Sequence, residues 1–354
     1  MKVIFDCRYT RLERHDGISR YTAGLVEAFS KLHPVTMLIH DERQLRMLPD
    51  LPWIKSRPSA SLLEPWSSLR LNREKADVVF SPMQTIGSVG RRFKLILTLH
   101  DMVFYRTRKP PTEFNWAIRA GWWAFHLAYW PQRLTLNRAD AVVTGSYNCE
   151  REMREVRLTK RPISVIRPGV PDIGAAPRSY SSSKMLVYMG TFMPNKNVET
   201  LAKAMHFLPG YRLHLLSRIN DETRSRIAAL APADSIVFEN GVTDEEYQER
   251  LLDAMAMVSA CRDEGFGIPL IEGMVAGTPL VISDIPVFRE VGGAAATYFD
   301  EDNPRAFADA VRSIDNPTDW NRLTAQSREQ AAQFNWEVGA KKLLELVTSL
   351  TSAR

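Results

Sequence analysis

The residues best suited to chemistry stand in one block, residues 263–272, where two carboxylates, Glu264 and Glu272, lie eight positions apart. Carboxylates accept hydrogen bonds from hydroxyl groups such as those of a ribose or a sugar ring. Gly265 and Gly267 allow a ligand to approach the backbone closely, and the N–H groups at the start of the following helix favour an anion. The block therefore predicts a site for a hydroxylated, anionic molecule. The alternative is a helix-capping glutamate followed by a solvated one.

Short apolar runs alternate with helical patterns along the chain. In the front half these runs are Lys2–Asp6, Val35–His40, Asp77–Ser81, Lys94–His100, Ala141–Gly145 and Ile163–Arg167. In the rear half they are Met185–Gly190, Arg212–Leu216, Ser235–Glu239, Met257–Ala260, Pro279–Ser283 and Ala296–Phe299. Strands that alternate with helices predict parallel sheets covered on both faces. Two such series predict an α/β protein with two doubly wound domains.

A stretch rich in Pro, Gly and Ser separates the two series. We therefore expect an N-terminal domain over residues 1–170, a linker over 171–183 and a C-terminal domain over 184–335. Residues 336–354 carry an amphipathic helical pattern, and whether this helix packs back on the N-terminal domain is left open. The default ligand site is a crevice between the sheets, at the carboxyl ends of their strands.

The composition excludes several classes of protein. Of the 354 residues, 45% are hydrophobic and 25% are charged, as in ordinary soluble globular proteins. No stretch of about 18 apolar residues occurs and the N-terminus lacks the apolar core of a signal peptide, so we expect a cytoplasmic protein without a membrane-spanning helix. Cys7, Cys149 and Cys261 lie far apart, which excludes a disulfide framework and a Cys-rich zinc module.

The segment from Phe104 to Trp130 holds nine of the 33 aromatic residues. One helical stripe comprises Ile118, Trp122, Phe125 and Tyr129, and a second comprises Trp116, Trp123, Leu127 and Trp130. The basic residues around them are Arg106, Arg108, Lys109, Arg119 and Arg133, in a front half whose first 170 residues carry a net charge of +12 against −7 for the rest. Two stripes are wider than one buried face needs, and Trp and Tyr suit a membrane interface. Residues 104–133 therefore predict docking on an anionic membrane surface. The alternative is a core helix together with a surface that binds a protein partner.

The paired glutamates lie in the run EGFGIPLIEGMVAGTPLVISDIPVFREV (264–291), which resembles the signature of the retaining glycosyltransferases of family four. Weaker motifs of the same family follow in the expected order: Gly17-Ile-Ser-Arg-Tyr, His100-Asp101, Arg167-Pro-Gly-Val, Gly190-Thr-Phe-Met-Pro-Asn-Lys-Asn, Asn240-Gly-Val and Phe334-Asn-Trp. The resemblance covers nearly the whole chain. It implies the GT-B fold, in which two Rossmann-like domains hold the active site between them.

The resemblance also implies roles for single residues of the C-terminal domain. Glu272 corresponds to the residue that binds the ribose hydroxyls of a nucleotide-sugar donor, and Glu264 to the residue that binds the hydroxyls of its sugar. The backbone N–H groups of Gly265, Phe266 and Gly267 would meet the sugar or the diphosphate.

Three further positions complete this implied donor site. Lys196 corresponds to the lysine that neutralises the leaving diphosphate; the alternative is an exposed loop lysine. Val242 would lie beside the nucleobase. Thr191 stands in the phosphate loop where some relatives carry an arginine, so the second cation is left open, with Arg218 as a candidate.

In the N-terminal domain, the resemblance places His100 against the transferred sugar and Asp101 near that sugar or the acceptor. Gly17 begins a helix whose preceding loop approaches the donor phosphates or the acceptor. The alternative for His100 is a strand-terminal side chain whose hydrogen bonds are satisfied by the backbone.

No metal site is predicted. The acidic run Asp300-Glu-Asp superficially matches a metal motif of other glycosyltransferases, but it precedes a helix, where acidic residues complement the helix dipole. The seven histidines show no metal-ligand spacing. The family has no convincingly placed carboxylate nucleophile, so the resemblance implies same-face attack with the leaving phosphate taking the acceptor's proton.

These observations predict a retaining, metal-independent hexosyltransferase that uses no cofactor. The favoured donor is GDP-mannose, because the Gly-Thr-…-Lys-Asn loop resembles those of bacterial polysaccharide and glycolipid mannosyltransferases, and the expected acceptor is a glycolipid or an oligosaccharide. The alternatives are another donor such as UDP-glucose, a nucleotide-sugar epimerase of the same fold, and a binding protein without turnover. A nucleic-acid partner is disfavoured, because no groove-reading motif accompanies the positive charge. The oligomeric state is left open.

Overall fold

The computed structural model describes residues 1–61, 63–108, 116–170, 178–180 and 183–352. The chain forms two compact units, the first comprising Met1–Gly169 and Asn335–Arg354 and the second Val170–Phe334. Most of the expected linker, residues 171–183, lies outside the described residues. Each unit is built on one parallel sheet with helices between successive strands.

The first unit contains a sheet of seven parallel strands. The strands are β1 Val3–Asp6, β2 Val35–Ile39, β3 Trp53–Lys55, β4 Val78–Ser81, β5 Lys94–Thr98, β6 Ala141–Thr144 and β7 Ile163–Val165. The helices are α1 Gly17–Ser30, α2 Ser67–Arg73, α3 Val103–Arg106, α4 Trp116–Phe125, α5 Trp130–Leu136 and α6 Tyr147–Glu155. The strand order β3-β2-β1-β4-β5-β6-β7 changes direction between β1 and β4. The central strands β1 and β4 are buried along their whole length, as continuous apolar runs in a parallel sheet require.

The second unit repeats this architecture with six parallel strands. They are β8 Met185–Tyr188, β9 Arg212–Leu215, β10 Ile236–Phe238, β11 Ala256–Ser259, β12 Leu280–Ser283 and β13 Ala296–Phe299. The helices are α7 Val198–Ala204, α8 Asp221–Ala228, α9 Asp244–Asp253, α10 Ile268–Val275, α11 Pro286–Gly292, α12 Pro304–Ser313 and α13 Pro317–Ala331. The order β10-β9-β8-β11-β12-β13 changes direction between β8 and β11, the position at which ligands bind open α/β sheets. The predicted class of two doubly wound parallel-sheet domains is confirmed.

All twelve predicted strands are present, most of them a residue or two shorter than the apolar runs suggested. The prediction missed β3, because this three-residue strand at the sheet edge pairs only with β2 and leaves Trp53 and Lys55 exposed. A half-covered edge strand needs no apolar run, so the sequence pattern gives little sign of it.

The final helix, α14 Trp336–Ser352, belongs to the first unit. Its buried residues Leu343 and Val347 join the core that α1 covers, and its first residue, Trp336, stacks edge-on against Tyr21 of α1 with 5.8 Å between the ring centroids. Gly24 of α1 makes this contact possible, because a Cβ atom at that position would lie 2.3 Å from the Trp336 indole.

A buried ionic network follows β1 and fixes the loop that leads to α1. Arg8 donates to Asp6 at 2.8 Å and 3.0 Å and to both carboxylate oxygens of Glu64 at 2.8 Å. Burial alone would lower the pKa of the Arg8 guanidinium, but Asp6 and Glu64 together raise it. Residue spacing does not predict this network, because Glu64 lies 56 residues from Arg8 along the chain.

We predict that Gly24→Ala destabilises the protein by about 1–3 kcal/mol, because the new methyl group overlaps a rigid indole and the resulting strain exceeds the roughly 1 kcal/mol that alanine contributes to a helix. Gly121→Ala on α4 is the matched control, since nothing lies within 4 Å of a Cβ atom there. Equilibrium urea denaturation measures both. Equal stability of the Gly24→Ala variant and the wild type would contradict the packing described for Trp336.

Candidate functional site

Two loops at the carboxyl ends of the adjacent strands β8 and β11 carry the predicted donor-site residues of the second unit. The first loop runs from residue 189 to the start of α7, and the second runs from residue 260 to the start of α10. Because parallel neighbouring strands end at the same edge of the sheet, the two loops lie side by side.

Lys196 and Glu264 form an ion pair between these two loops, with the Lys196 ammonium against Glu264 Oε2. Their side chains are 18% and 22% exposed, so the pair is largely buried yet reachable from solvent. Burial would raise the pKa of the Glu264 carboxyl, but the Lys196 charge and hydrogen bonds from Gly265 N–H and the Cys261 thiol outweigh it, so this pKa lies below its usual value. Glu264 is therefore a carboxylate at neutral pH. Burial raises the pKa of Cys261 to about 12, so its thiol remains a hydrogen-bond donor.

Backbone and side-chain hydrogen bonds hold the two loops in register around this pair. Arg262 N–H donates to the Asn195 carbonyl at 2.8 Å, and Asn195 Nδ2 donates to the Asp263 carbonyl at 3.0 Å. Asn197, in the left-handed conformation at φ 51°, donates from Nδ2 to the carbonyl of Glu301 at 2.7 Å. The residues next to Lys196 and Glu264 thus fix the separation of the two charges.

The glycine-rich turn leads directly into α10. Gly267 has φ +94°, a conformation that disfavours any residue with a Cβ atom, and no side chain caps the helix that follows it. Phe266 is buried, and its ring packs edge-on against Phe334 with 5.7 Å between centroids. The Phe266 side chain therefore anchors the turn, and only the backbone near this residue is available to a ligand.

Glu272 lies within α10 and is 9% exposed. The phenol of Tyr247, from α9, donates a hydrogen bond to Glu272 Oε2 at 3.0 Å. The alternative of a helix-capping glutamate followed by a solvated one does not describe these residues, because Glu264 is ion-paired in the loop and Glu272 is buried.

The loops after β8, β9 and β10 carry the remaining predicted donor residues. Val242 is half-buried on the core beside Gly241, whose N–H donates to the Leu216 carbonyl at 2.9 Å. Thr191 is exposed, and its carbonyl accepts from the Tyr188 phenol at 2.6 Å.

Arg218, the candidate second cation, is exposed after β9 and makes no ion pair with any residue that the structure describes. The preceding residue, Ser217, accepts from Gly190 N–H at 3.2 Å, so the backbone before Arg218 borders the loop that carries Lys196.

The predicted residues of the first unit lie at the carboxyl edge of its own sheet. His100, two residues beyond β5, contacts the Pro82 carbonyl through Nε2 at 2.8 Å and packs edge-on against Tyr21 with ring centroids 5.0 Å apart. A carbonyl oxygen only accepts, so Nε2 carries the proton and Nδ1 of the neutral ring is an acceptor. Burial lowers the pKa of His100, although the Pro82 carbonyl and the charge of Asp16 oppose the shift, so the ring is neutral at pH 7.

Asp101 and Gly17 both lie at helix starts. Asp101 Oδ1 accepts from Val103 N–H at 3.0 Å, and so supports the short helix α3. Gly17 is the first residue of α1, which Asp16 caps by accepting from Ser19 N–H at 2.8 Å.

The acidic run 300–302 precedes the helix α12, as expected, but none of its side chains provides the N-cap of that helix. Asn303 caps α12 by accepting from the N–H groups of Arg305 and Ala306, because it stands at the N-cap position itself. Asp302 instead pairs with Arg262 at 2.6 Å. No cluster of three metal-ligating side chains occurs within the described ranges of the chain.

The sequence reasoning missed Tyr247 and Asn195 as partners of the site. Tyr247 shares the buried face of α9 with Leu251, four residues on, so its spacing indicated a core position but not a hydrogen bond to a carboxylate. Asn195 is adjacent to Lys196 in the sequence, and this proximity was the available signal.

Comparison with protein families gives the class of this two-unit fold and its site. The family model described as "Glycosyl transferases group 1" matches residues 171–350, more than half of the chain, and the model described as "Glycosyltransferase Family 4" matches residues 15–172. The chain belongs to the group 1 glycosyl transferases, and its class is GT-B.

The individual relatives have low sequence identity to this chain. O-antigen chain mannosyltransferase RfbU of Salmonella typhimurium is 28% identical over 53% of this chain and 54% of its own length, so the chain spans about half of that relative. GDP-mannose:cellobiosyl-diphosphopolyprenol alpha-mannosyltransferase of Xanthomonas oryzae pv. oryzae is 28% identical over 60% of this chain and 62% of its own length. The structure of sucrose-phosphate synthase from Thermosynechococcus elongatus shares the fold, with a TM-score of 0.76 and 19% identity over 100% of both chains.

We predict that Lys196→Met lowers the free energy of unfolding at pH 7 by about 2 kcal/mol, since it leaves a largely buried carboxylate without its partner. Because folding lowers the pKa of Glu264, the contribution of the pair is complete above the unfolded pKa of about 4.3 and is lost as the pH falls through the folded value. The gap between wild type and variant should therefore narrow at pH 3.5. Urea denaturation at both pH values measures it, with the exposed Lys203→Met as control. A gap of equal size at both values would contradict the ion pair.

Proposed function

We propose that this protein is a retaining glycosyltransferase that transfers a hexose from a nucleotide sugar, with GDP-mannose as the favoured donor, to a lipid-linked or polysaccharide acceptor. The observation that carries the proposal is the Lys196–Glu264 pair at the carboxyl edge of β8 and β11, with Glu272 on the helix that follows. The mannosyltransferase names of the relatives support the choice of sugar.

Each residue of the second unit has a defined part in this proposal. The Glu272 carboxylate accepts hydrogen bonds from the ribose hydroxyls, and Val242 lies beside the base. Lys196 stands against the diphosphate and neutralises the charge that grows on it as the glycosidic bond breaks. Glu264 accepts hydrogen bonds from hydroxyls of the transferred sugar, and its charge keeps the Lys196 ammonium in place.

The uncapped start of α10 supplies further stabilisation. Backbone N–H groups at Phe266 and Gly267 and the positive end of the helix dipole favour the anionic part of the donor, whereas the predicted N–H of Gly265 already donates to Glu264 Oε1 at 3.1 Å. Transfer proceeds by same-face attack, in which the acceptor hydroxyl bonds to the anomeric carbon and its proton passes to the departing phosphate oxygen. The protein then acts by positioning and charge stabilisation, without a metal.

Residues of the first unit complete the proposed reaction. The neutral imidazole of His100 can accept a hydroxyl hydrogen bond at Nδ1, which fits its predicted place against the transferred sugar. Asp101 is assigned to the sugar or the acceptor, and the loop before Gly17 to the phosphates or the acceptor.

Thermal shift with a panel of GDP-, UDP- and ADP-sugars, with and without EDTA, identifies the donor, because a ligand that binds only the native state raises the melting temperature. We expect the largest shift with GDP-mannose, unchanged by EDTA.

An activity assay with the selected donor distinguishes the alternatives. Release of product without an acceptor would indicate an epimerase. Binding without donor turnover would indicate a binding protein. Transfer with inversion at the anomeric carbon would exclude the proposed mechanism.

We predict that Lys196→Ala lowers kcat about 10²–10³-fold with a smaller change in donor KM, because Lys196 acts mainly on charge that develops as the diphosphate departs. Steady-state kinetics at saturating acceptor measures this, with the exposed Lys203→Ala as control. Glu264→Gln should also slow transfer without accumulating a covalent intermediate. A glycosyl-enzyme trapped in that variant, detected by intact mass, would overturn the same-face mechanism.

We further propose that the aromatic segment of the first unit docks on an anionic membrane. Trp116, Trp123, Leu127 and Trp130, the second predicted stripe, are 82%, 47%, 43% and 62% exposed. In the first stripe, Trp122 packs edge-on against Phe104 with ring centroids 4.8 Å apart, whereas Ile118 is exposed like the second stripe. The pattern predicted as one helix forms two, α4 and α5.

Positive charge accompanies the exposed stripe. Arg119 is exposed on α4, and Arg108 is exposed beyond α3. Arg106 is paired with Glu152 at 3.0 Å, which reduces its contribution, while Phe114 and Lys109 lie outside the described residues. Exposed tryptophans beside exposed arginines suit an interface with anionic lipid. No helix in the described ranges is long and apolar enough to span a bilayer.

We predict that combining Trp116→Glu, Trp123→Glu and Trp130→Glu weakens binding to phosphatidylglycerol vesicles at least tenfold, because each change replaces an interfacial anchor with a charge that anionic lipid repels. Vesicle co-sedimentation measures binding, and the melting temperature checks folding. Trp66→Glu, which alters a residue 50% exposed elsewhere in the first unit, is the control. If the wild type does not bind these vesicles, the segment does not dock on an anionic membrane.

A further inference from the structure

Tyr247 connects two parts of the second unit that the proposed function assigns to the nucleoside. Its side chain is 5% exposed, and its phenol donates to Glu272 Oε2 at 3.0 Å, while Glu272 is itself 9% exposed. Tyr247 lies in the first half of α9, which begins directly after the loop that carries Val242. The helix that follows the proposed base loop therefore supplies a hydrogen bond to the proposed ribose carboxylate.

The start of α9 is held firmly, so the phenol has a fixed position. Thr243 and Glu246 form a capping box, with Glu246 N–H donating to Thr243 Oγ1 at 3.2 Å and Thr243 N–H to Glu246 Oε2 at 2.7 Å. The loop before it is fixed by the Asn240 side chain, which accepts from Ile219 N–H at 3.2 Å. Any displacement of this loop would move the phenol, and with it the hydrogen bond to Glu272.

We propose that Tyr247 is a positioning residue that sets the orientation of the Glu272 carboxylate for ribose recognition and couples it to the base loop. The inference rests on the proposed function of Glu272 as the ribose-binding residue. A carboxylate has about four lone-pair sites, so it can accept hydrogen bonds from a phenol and from ribose hydroxyls at the same time, and the phenol fixes the plane in which the hydroxyls are accepted. A phenylalanine would fill the same space without fixing that plane.

This role affects binding of the nucleotide more than the rate of transfer. The ribose is remote from the breaking bond, so its contacts are equally strong in the ground state and the transition state and appear in KM rather than kcat. The contribution also depends on the ribose hydroxyls themselves. Loss of the phenol should therefore weaken a ribonucleotide more than its deoxy analogue.

The test compares GDP with 2′-deoxy-GDP and 3′-deoxy-GDP by titration calorimetry on the wild type and Tyr247→Phe; if the donor panel selects another base, the matching diphosphates are used. We expect Tyr247→Phe to raise the Kd for GDP about five- to tenfold, which is less than the effect of a full hydrogen bond to a charged group, because the phenol orients the carboxylate and does not itself contact the ligand. We also expect the ratio of the Kd for deoxy-GDP to the Kd for GDP to become smaller. The kcat for transfer should stay within about twofold. Because all three ligands are measured on one protein sample, incomplete folding changes the binding stoichiometry and not the ratio of the Kd values.

Tyr211→Phe is the matched control, since Tyr211 is 8% exposed in the same unit and its phenol also donates to a carboxylate, that of Asp315. It should leave the ratio unchanged. In a Glu272→Ala background, Tyr247→Phe should cause no further loss.

The outcomes separate this inference from the proposed function. An unchanged ratio of deoxy to ribo Kd in Tyr247→Phe, or a full additional loss in the Glu272→Ala background, would overturn the role of Tyr247 alone. A wild type that binds no nucleoside diphosphate would overturn the proposed function, and the inference with it.

Discussion

The candidate site depends on one electrostatic constraint: the Lys196 ammonium and the Glu264 carboxylate are stable in their largely buried positions only as a pair. Burial disfavours the charge on Glu264, and the Lys196 charge is the largest factor that opposes this. Each charge comes from a loop after a different strand, so the pair requires that the two loops keep a fixed separation. The hydrogen bonds of Asn195 with Arg262 and Asp263 provide that separation, and this explains why they flank the charged residues on both sides.

The second carboxylate, Glu272, is also held by a side chain from a different element of the fold. Glu272 is held by Tyr247 of α9, whereas Glu264 is held by Lys196 of the loop before α7. The two acids differ in the charge of their partners, because one partner is a cation and the other a neutral phenol. A cation suits a position where negative charge develops during a reaction, and a neutral donor suits a position where hydroxyl groups are bound without a change in charge. This difference agrees with separate assignments for the two glutamates.

The sequence was sufficient for those features that depend on local pattern. Buried parallel strands appear as apolar runs, so twelve of them were found, and the spacing of Glu264 and Glu272 around a glycine turn pointed to the loop whose Glu264 pairs with Lys196. Contacts across the fold were not predictable in this way. Tyr247 and Glu272 are 25 residues apart, Lys196 and Glu264 are 68 apart, and a helical or strand period carries no information at such distances. The edge strand β3 was missed for a different reason, because exposure on one side removes the apolar run.

A comparison of the two units shows how exposure distinguishes a structural ion network from a candidate functional one. In the first unit, Asp6 at the end of β1 and Arg8 just beyond it have fully buried side chains. Arg8 bridges Asp6 and Glu64, and nearby backbone and hydroxyl groups complete the hydrogen bonds of the network. Such a network fixes the β1–α1 loop but offers no atom to a ligand. The Lys196–Glu264 pair occupies an equivalent place at a strand end, yet each side chain keeps about a fifth of its surface exposed, at 18% and 22%. A ligand anion can therefore contact the Lys196 ammonium without unfolding of the loop. This accessibility, rather than the presence of buried charge, is the physical reason for proposing a functional role for the ion pair of the second unit.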